Sequence, residues 1–322
     1  MGEFELIDRF FRRPARQAAL GVGDDCALLA PAPGMQLAIS SDMLIEGRHF
    51  LSTVDPFKLG HKALAVNLSD LAAMGAEPLG CTLALALPPE RARDAGWLTA
   101  LARGLFALAD AHACPLIGGD TTAGPLNLCL TVFGQVPAGQ ALRRDGAQAG
   151  DHIWVSGTLG HARLALGALR GEWTLPPAVL AAARQRLERP TPRLALGRAL
   201  RGIAHSAIDV SDGLLGDLGH ILKASGTGAS IDAAAASRLL AAGAALDAET
   251  LRTAALAGGD DYELVFTAPP AARAAVLRAG HASATPVSRI GTITAGTGLR
   301  LLGADGQPLR QTYASFDHFA RS

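Results

Sequence analysis

The chain has 322 residues, 49% of them hydrophobic, and its 29 lysines and arginines balance 29 aspartates and glutamates. A chain of this length is longer than a domain with a single hydrophobic core usually is, so we expect two domains. The apolar content excludes a disordered chain. The net charge is zero, so the chain does not have the excess of basic residues that is typical of a nucleic-acid-binding protein. The longest uncharged apolar run, PLGCTLALALPP, is too short to span a bilayer.

The N-terminal segment MGEFELIDRFFRR is charged and has no apolar signal core. We therefore expect a cytoplasmic protein whose partners are neither nucleic acid nor membrane. The cysteines are far apart and form no CxxC pair, so we expect reduced, partly buried thiols at Cys26, Cys81, Cys114 and Cys129. Cys26 lies between two acidic residues and an apolar run, and we interpret it as a packing residue.

The first part of the chain alternates helix-like and strand-like segments. In chain order we predict a helix over 4–12, a strand over 35–40, a helix over 55–75, a strand over 80–87, a helix over 90–113, and strands over 114–120 and 126–136. The helix over 55–75 carries the clearest signals, because Asp55 is a capping residue, Pro56 suits a first turn and Gly75 suits an end.

A segment rich in charge and glycine, RRDGAQAGDH, precedes a new strand, so we place a domain boundary near residue 145. The predicted domains are 1–145 and 146–322. In the second we predict helices over 159–171, 178–188, 193–203, 212–225 and 235–257, and strands over 206–211, 228–232, 262–267 and 287–294. Alternating strands and helices in both halves predict a mixed α/β fold.

Acidic residues recur beside glycine or at predicted strand ends, mostly without a basic neighbour. Six such acidic stations contain Asp24 and Asp25; Asp42; Asp70; Asp120; Asp209, Asp212 and Asp217; and Asp260 and Asp261. Taken singly, Asp120 fits a turn residue as well as it fits a cation ligand, and Asp212 fits a helix N-cap as well as it fits a cation ligand. Asp70 lies on a mostly apolar helix, where a carboxylate is costly to bury unless it is paired or bound to a cation. The alternative is a polar surface that Asp70 shares with Lys62 and Glu77.

Together the acidic stations indicate a cation site. Strand ends and glycine turns bring carboxylates to one edge of a sheet, where α/β proteins bind ligands. Oxygen ligands from Asp and Ser suit Mg²⁺ or Ca²⁺, and Mg²⁺ usually arrives with phosphate oxygens, which predicts a nucleotide. Neither GxxxxGK[ST] nor a helix-opening GxGxxG is present. Arg143 and Arg144 are the candidate phosphate contacts, and the alternative is a solvated linker pair.

Seven motifs follow one another from about residue 3 to residue 319: GVGDDCALL, AISSDMLIEGRHF, KALAVNLSDLAAMGAEP, LIGGDTTAGPL, SAIDVSDGLLGDLGHI, AGGDDYEL and FDHF. Together they resemble the thiamine-monophosphate kinase family, which is related to aminoimidazole ribonucleotide synthetase. The resemblance implies a two-domain α/β (α+β mixed) fold and a homodimer whose N-terminal sheets pair into a barrel-like core. It also implies that ATP and thiamine monophosphate react to give ADP and thiamine diphosphate.

The resemblance also assigns roles to the residues that match its motifs. The implied metal ligands are Asp25, Ser40, Ser41, Asp42, Asp70, Asp120, Asp209 and Asp212. The implied ATP contacts are Gly119, Asp120, Arg144 and Ser211, and the implied contacts to thiamine monophosphate are His49, Asp260 and Phe316. Several Mg²⁺ ions per site are implied, ATP is the co-substrate, and K⁺ is a further candidate cation.

Three of these positions depart from the family pattern. Ser41 stands where threonine is common, and the hydroxyl is kept. Asp260 stands where glutamate is common, and its side chain is one methylene shorter. Phe316 replaces the tyrosine or tryptophan of some relatives, and a ring face for stacking remains. In the first acidic station we assign the metal to Asp25 and a turn-shaping role to Asp24.

The acceptor in this reaction is itself a phosphate, whose second pKa is about 6, so it is largely ionised at neutral pH and needs no general base. We therefore expect direct transfer without a phospho-enzyme, and no catalytic nucleophile or base. The rival functions are another ATP-using member of the superfamily, such as selenophosphate synthetase, and a non-catalytic Mg-nucleotide sensor.

Overall fold

The structure, a computed structural model, describes residues 2–15, 18–22, 25–240, 246–309 and 313. The chain divides into unit 1, formed by Met1–Leu71 and Ala76–Gly139, and unit 2, formed by Ala72–Gly75 and Gln140–Ser322. Both units combine helices with a sheet, as the mixed α/β prediction requires. None of the described helices is long and apolar enough to cross a membrane.

Unit 1 contains a four-stranded sheet in the order β1-β4-β2-β3. Its strands are β1 (Met35–Ile45), β2 (Glu77–Leu87), β3 (Leu116–Ala123) and β4 (Asn127–Pro137). Its helices are α1 (Glu3–Leu6), continued by a π-helical turn (Ile7–Phe11), α2 (Pro56–Ala73), α3 (Pro89–Arg93) and α4 (Ala95–Ala111). Only β2 and β3 pair in parallel, which requires a long crossover, and α3 and α4 supply it.

Helices α2 and α4 pack backbone against backbone at two glycines. A Cβ atom on Gly60 would lie 2.0 Å from the carbonyl oxygen of Leu101, and one on Gly104 would lie 1.8 Å from that of Phe57. Real Cβ atoms stay beyond 3.0 Å, so only glycine permits this approach. Almost every residue of α2 from position 60 to 73 is buried.

The side chains of β1 alternate between the two faces of its sheet. Ser40, Asp42 and Leu44 are half-buried or buried, whereas the residues between them are exposed. The exposed set is mainly apolar, with Leu37 at 45%, Ile39 at 58%, Met43 at 48% and Ile45 at 38% exposure. We call this side, continued on β4 by Phe133, Thr131 and Cys129, the outer face.

Unit 2 contains a six-stranded sheet in the order β10-β7-β9-β5-β8-β6, antiparallel except for the β10–β7 pair. Its strands are β5 (His152–Ser156), β6 (Ser206–Asp209), β7 (Gly228–Asp232), β8 (Leu264–Ala268), β9 (Val287–Thr294) and β10 (Gly298–Leu302). Its helices are α5 (His161–Leu169), α6 (Pro177–Glu188), α7 (Leu194–Ala199), α8 (Leu214–Ser225), α9 (Ala233–Ser237), α10 (Ala248–Ala257) and α11 (Arg273–Ala282). An apolar core that includes Val155, Leu218 and Val265 joins the sheet to α8.

Two predicted helices are wrong in their extent. The helix predicted over 90–113 is two helices, because the carboxylate of Asp94 accepts the N–H of Trp97 at 2.9 Å and starts α4 anew. The helix predicted over 235–257 is replaced by α9 and α10, which are capped separately by Asp232 and Asp247. Helix α11 and strand β10 had no counterpart in the sequence prediction.

Candidate active site

In unit 1, β1 and α2 bring together two of the acidic stations. The Ser40 hydroxyl donates to Oδ2 of Asp70 at 2.5 Å. Two residues further along β1, the N–H of Asp42 donates to Oδ1 of the buried Asn67 at 3.1 Å. Asn67 in turn donates to the carbonyl of Ala63 at 3.1 Å. The side chains of Ser40 and Asp42 therefore lie on the face of β1 that α2 covers, beside Asp70.

Asp70 does not share a polar helix surface. Lys62, one of the two other expected occupants of such a surface, is only 4% exposed, and the α2 residues around Asp70 are buried. The expected polar surface shared with Lys62 is therefore wrong, and Glu77, the other expected occupant, is half-buried on β2. A half-buried carboxylate on an apolar helix needs a compensating partner, and Ser40 supplies part of that compensation.

The structure separates Ser41 and Asp120 from this group. Asp42 and Asp120 were expected at strand ends, and this is wrong, because they lie inside β1 and β3. The Ser41 hydroxyl is on the outer face, 2.9 Å from the Thr131 hydroxyl. Asp120 is exposed and pairs with Ala84 on the same outer face. Strands β1 and β3 are opposite edges, three strand spacings or about 14 Å apart.

Gly119, the predicted nucleotide contact next to Asp120, has a φ of +148°. A Cβ atom at this position would lie 2.0 Å from the carbonyl oxygen of Leu83 on β2. Both the backbone conformation and the approach of the neighbouring strand therefore require glycine here. Asp120, the next residue, is exposed on the edge strand β3.

The first acidic station lies on a loop that an isolated bridge between Leu20 and Leu28 closes. Asp25 is exposed on this loop. Asp24 lies outside the described residues, so the division of roles between the two aspartates stays a prediction. Cys26 is exposed, which contradicts its interpretation as a packing residue. The bridge joins only the ends of the loop, at Leu20 and Leu28. The other thiols are free, and two of them, Cys81 and Cys114, are buried.

His49, a predicted substrate contact, lies in the turn that follows β1. Its Nδ1 accepts the N–H of Ile45 at 3.0 Å, and its own N–H donates to the Ile45 carbonyl at 2.9 Å. An accepting Nδ1 carries no proton, so a neutral ring has its proton on Nε2. The turn therefore presents a hydrogen-bond donor at Nε2.

In unit 2, Asp209 is the last residue of β6, which ends two residues before the end of the strand predicted over 206–211. The segment after Asp209 is held by Asp217. Oδ2 of Asp217 accepts the N–H groups of Ser211, Asp212 and Gly213 at 3.0, 3.1 and 3.1 Å. The N-cap reading of Asp212 is wrong, because Gly213, which has no side chain, occupies the N-cap of α8. Burial, and secondly the charge of Asp212, raise the pKa of Asp217 to about 7, and the three N–H donors act in the opposite direction.

Asp260 lies against the same segment. Its N–H donates to the Ser211 carbonyl at 2.6 Å, and its φ is +62°, a left-handed conformation uncommon outside glycine. The preceding Gly259 also has a positive φ, and a Cβ there would lie 2.6 Å from the Ser211 oxygen. The structure therefore brings Asp209, Ser211 and Asp260 together. Phe316 lies outside the described residues.

A buried ionic cluster lies next to the Asp260 turn in the chain, at Asp261 and Glu263. Glu263 is fully buried and accepts hydrogen bonds from Arg186 at 2.7 Å, from Arg193 at 2.5 and 2.7 Å and from Ser156 at 2.5 Å. Both carboxylate oxygens of Asp261 accept the N–H of Gly160. Burial raises the pKa of Asp261 well above its usual range, because the charged form loses its hydration.

The sequence analysis assigned no site role to these supporting groups. Asn67 and Glu263 carry no local signal, because the site residue that Asn67 holds and the side-chain partners of Glu263 lie far away in the chain. Asp217 does carry one, since an acidic residue in the first turn of a helix often bonds to backbone N–H groups just before it.

The two candidate arginines differ in their surroundings. Arg143 forms an exposed bidentate pair with Asp145, with N–O distances of 2.9 and 2.6 Å. Within the part of the chain that the structure describes, Arg144 has no ion pair, and its carbonyl accepts the Ser225 hydroxyl at 2.8 Å. Arg143 therefore fits the alternative of a solvated linker residue. Arg144 is held by the hydrogen bond to its carbonyl, and its side chain is exposed.

No three His, Cys, Asp or Glu side chains within the described ranges come close enough to form a ready-made metal cluster. A cavity of about 570 Å³ lies elsewhere in unit 1, between the N-terminal helical segment and α4. It is lined mainly by arginine and phenylalanine, including Arg9, Arg103 and Phe106, and by none of the predicted site residues.

Comparison with known families matches both halves of the chain. Residues 23–136 match the family described as AIR synthase related protein, N-terminal domain, and residues 148–303 match the family described as AIR synthase related protein, C-terminal domain. The chain is 47% identical over 325 residues to a thiamine-monophosphate kinase of Salmonella typhimurium, with 99% of this chain and 98% of the relative covered.

Solved structures agree with this likeness. A crystal structure of thiamine-monophosphate kinase from Stenotrophomonas maltophilia is 48% identical, with a TM-score of 0.82 over 91% of this chain and 93% of the other. A structure named "AaThiL complexed with AMPPCP and TMP" is 26% identical, with a TM-score of 0.75 over 99% of this chain and 97% of the other.

Proposed function

Because this chain belongs to the thiamine-monophosphate kinase family, we propose that it transfers the γ-phosphoryl group of ATP to thiamine monophosphate. The bond from the γ-phosphorus to the β–γ bridging oxygen breaks, and a new bond to a phosphate oxygen of thiamine monophosphate forms. The products are ADP and thiamine diphosphate. The observation that carries the proposal is the likeness over nearly the whole chain to kinases of this name, one of which is complexed with AMPPCP and TMP.

The donor set supports Mg²⁺ as the metal. The groups that Ser40, Asp42 and Asp70 place on one side of β1 are oxygens only, and so are those of Asp209 and Asp212. Oxygen ligands of this kind suit hard cations, with K⁺ as a further candidate beside Mg²⁺. When bound, such ions neutralise charge on the two phosphates that must approach each other.

The chain's own residues have the following proposed tasks. Asp25 joins the residues above as a metal ligand, and Ser41 and Asp120 are proposed metal ligands on the outer face, apart from Ser40, Asp42 and Asp70. Gly119, Arg144 and Ser211 bind ATP. A neutral His49 donates through Nε2 to an acceptor of thiamine monophosphate, and Asp260 and Phe316 complete that contact. Because the acceptor phosphate is already largely ionised at neutral pH, no residue has to remove a proton. The N-terminal domain, 1–145, holds ATP and the metals, and 146–322 completes the site.

The first experiment incubates the protein with ATP, Mg²⁺ and each of several acceptors in turn. Thiamine monophosphate is expected to give thiamine diphosphate, and free thiamine, selenide and aminoimidazole precursors are expected to give no product. Turnover with selenide alone would contradict the proposal and indicate a selenophosphate synthetase. Nucleotide binding without turnover of any acceptor would contradict it and indicate a non-catalytic sensor. Labelled ATP without acceptor should leave no label on the protein, and a trapped phospho-protein would exclude direct transfer.

Asp70→Asn tests the metal assignment. It keeps an oxygen for Ser40 but removes the charge that a cation needs, so turnover should fall at least about 100-fold while the unfolding midpoint changes little. Asp110→Asn is the control in the same unit, because Asp110 is exposed and pairs with Arg13. Near-normal turnover of Asp70→Asn at saturating Mg²⁺ would remove Asp70 from the metal set.

The outer face supports the proposed homodimer. Its apolar side chains on β1 are exposed in a row along an edge strand, which a soluble monomer rarely tolerates. Ile39→Asp places a charge in the middle of this row and should give a monomer in sedimentation experiments. Leu277→Asp, at a 45% exposed position on α11 of unit 2, is the control and should leave the assembly unchanged. A wild-type monomer, or a dimer in Ile39→Asp, would contradict pairing through this face.

A further inference from the structure

The segment from Val210 to Gly213 has all its backbone N–H groups bonded within the chain. The Val210 N–H donates to the carbonyl of Glu263 at 2.8 Å. The next three N–H groups all donate to Oδ2 of Asp217, at 3.0 to 3.1 Å, and Asp217 is only 3% exposed. One buried carboxylate oxygen therefore holds three consecutive residues of the candidate site.

Consecutive N–H groups that converge on one point form a nest, an arrangement that ordinarily binds an anion such as phosphate. Here the anion is a side chain of the chain itself. With the nest filled by Asp217, no N–H group of residues 211–213 remains for a ligand. The side-chain groups that remain are the Asp212 carboxylate, which only accepts when ionised, and the Ser211 hydroxyl. A segment that offers oxygens and withholds N–H groups suits a cation better than a phosphate.

The same nest also holds the Asp260 turn. The Ser211 carbonyl, whose orientation follows from the bonded N–H groups on either side, accepts the N–H of Asp260 at 2.6 Å. The Val210 carbonyl accepts the N–H of Tyr262 at 2.9 Å. A change in the nest would therefore move Asp212 and Asp260 together.

We propose that Asp217 is a positioning residue, which fills the nest at 211–213 and so presents Asp212 as a cation ligand beside Ser211 and fixes the Asp260 turn. The proposal deepens the proposed function and rests on it for the identity of the reaction. It needs a hydrogen-bond acceptor at position 217, whereas a role as a metal ligand would need the negative charge.

Three variants separate these roles. Asp217→Asn keeps an oxygen in the place of Oδ2, and Asp217→Ala removes it. Asp151→Ala is the control, because Asp151 is also 3% exposed in unit 2 and is also held by hydrogen bonds within the chain, from the Gln148 N–H at 2.9 Å and with His205 Nδ1 at 2.9 Å. If Asp217→Ala does not fold, Asp217→Ser takes its place, since its shorter hydroxyl cannot serve all three donors.

The first readout is hydrogen exchange at the amides of residues 211–213, without substrate. These amides should exchange at least about tenfold faster in Asp217→Ala than in the wild type, and little faster in Asp217→Asn or Asp151→Ala. The second readout is turnover against Mg²⁺ concentration. Asp217→Ala should need about 10–100-fold more Mg²⁺ or lose that factor in kcat, while Asp217→Asn stays within about threefold of the wild type.

Two results would overturn the proposal. In the first, Asp217→Asn is as impaired as Asp217→Ala, which would make the charge and not the acceptor decisive. In the second, Asp217→Ala and Asp151→Ala lose stability alike, with unchanged Mg²⁺ dependence and unchanged exchange at 211–213. If the wild type makes no thiamine diphosphate, the proposed function fails, and the exchange experiment still decides whether Asp217 orders the segment.

Discussion

Gly104→Ala should destabilise the protein, although alanine is the better helix former. The helices α2 and α4 touch at this point, and an added Cβ would lie 1.8 Å from the carbonyl oxygen of Phe57. Since real Cβ atoms keep at least 3.0 Å, the two helices must separate by roughly 1.2 Å. The obstructing atom belongs to the backbone, so no side-chain rotation can remove the clash.

The magnitude follows from two opposing effects. Overpacking of this kind costs typically about 1–3 kcal/mol, and an obstructing backbone atom places the cost at the upper end. The gain in helix propensity from glycine to alanine is at most about 1 kcal/mol. The expected net loss is therefore about 2 kcal/mol, or roughly 30-fold in the ratio of folded to unfolded protein.

Urea unfolding of Gly104→Ala and Gly219→Ala measures this difference. Gly219 lies inside α8 with nothing within 4 Å of an added Cβ, so its replacement should stabilise by about 0.5–1 kcal/mol. Because α2 also carries Asp70 to β1, Gly104→Ala should lower turnover as well. A Gly104→Ala protein at least as stable as the wild type would refute the argument from close helix packing.

Three further predictions concern the groups around the candidate site. Glu263→Ala leaves the guanidinium groups of Arg186 and Arg193 without their buried partner and should cost about 3–5 kcal/mol in urea unfolding, against less than about 1 kcal/mol for the exposed Asp8→Ala; equal losses would contradict the buried network. Burial, and secondly the charge of Arg186, lower the pKa of His161 in the folded protein. As the pH falls below about 6.5, the unfolded chain therefore binds more protons than the folded protein, and the free energy of unfolding decreases. Between pH 7.5 and 5.5 the wild type should therefore lose more stability than His161→Gln, and parallel losses would contradict this. Gly119→Ala should abolish turnover, because its Cβ would lie 2.0 Å from the Leu83 oxygen, and unimpaired kinetics would show that the β3 edge has no part in nucleotide binding.

The sequence analysis located most helices and strands because their signals are local. Hydrophobic periodicity, the capping residues around α2 and the glycine-flanked aspartates all depend on a few neighbouring residues. Helix breaks within long apolar stretches were missed for the same reason: Asp94 was read as one more helical residue, and only its bond to the Trp97 N–H makes it a start.

The acidic stations were visible in the sequence, but their arrangement was not. Their spacing suggested carboxylates at one sheet edge, whereas the strand order places β1 and β3 at opposite edges and puts Asp42 and Asp120 on opposite faces. Neighbouring residues Ser40 and Ser41 were grouped, yet the period of two in β1 sends their hydroxyls to opposite sides.

By itself, the sequence determined the α/β class, the course of most elements and the residue types available for a cation and a phosphorylated substrate, because these depend on composition and on residues near one another in the chain. Only the tertiary structure decided that Asp70 is compensated by Ser40, that Asp217 fills the nest at 211–213 and that Glu263 joins two arginines behind Asp260. Contacts between distant residues depend on strand order, register and helix packing, which many residues determine together.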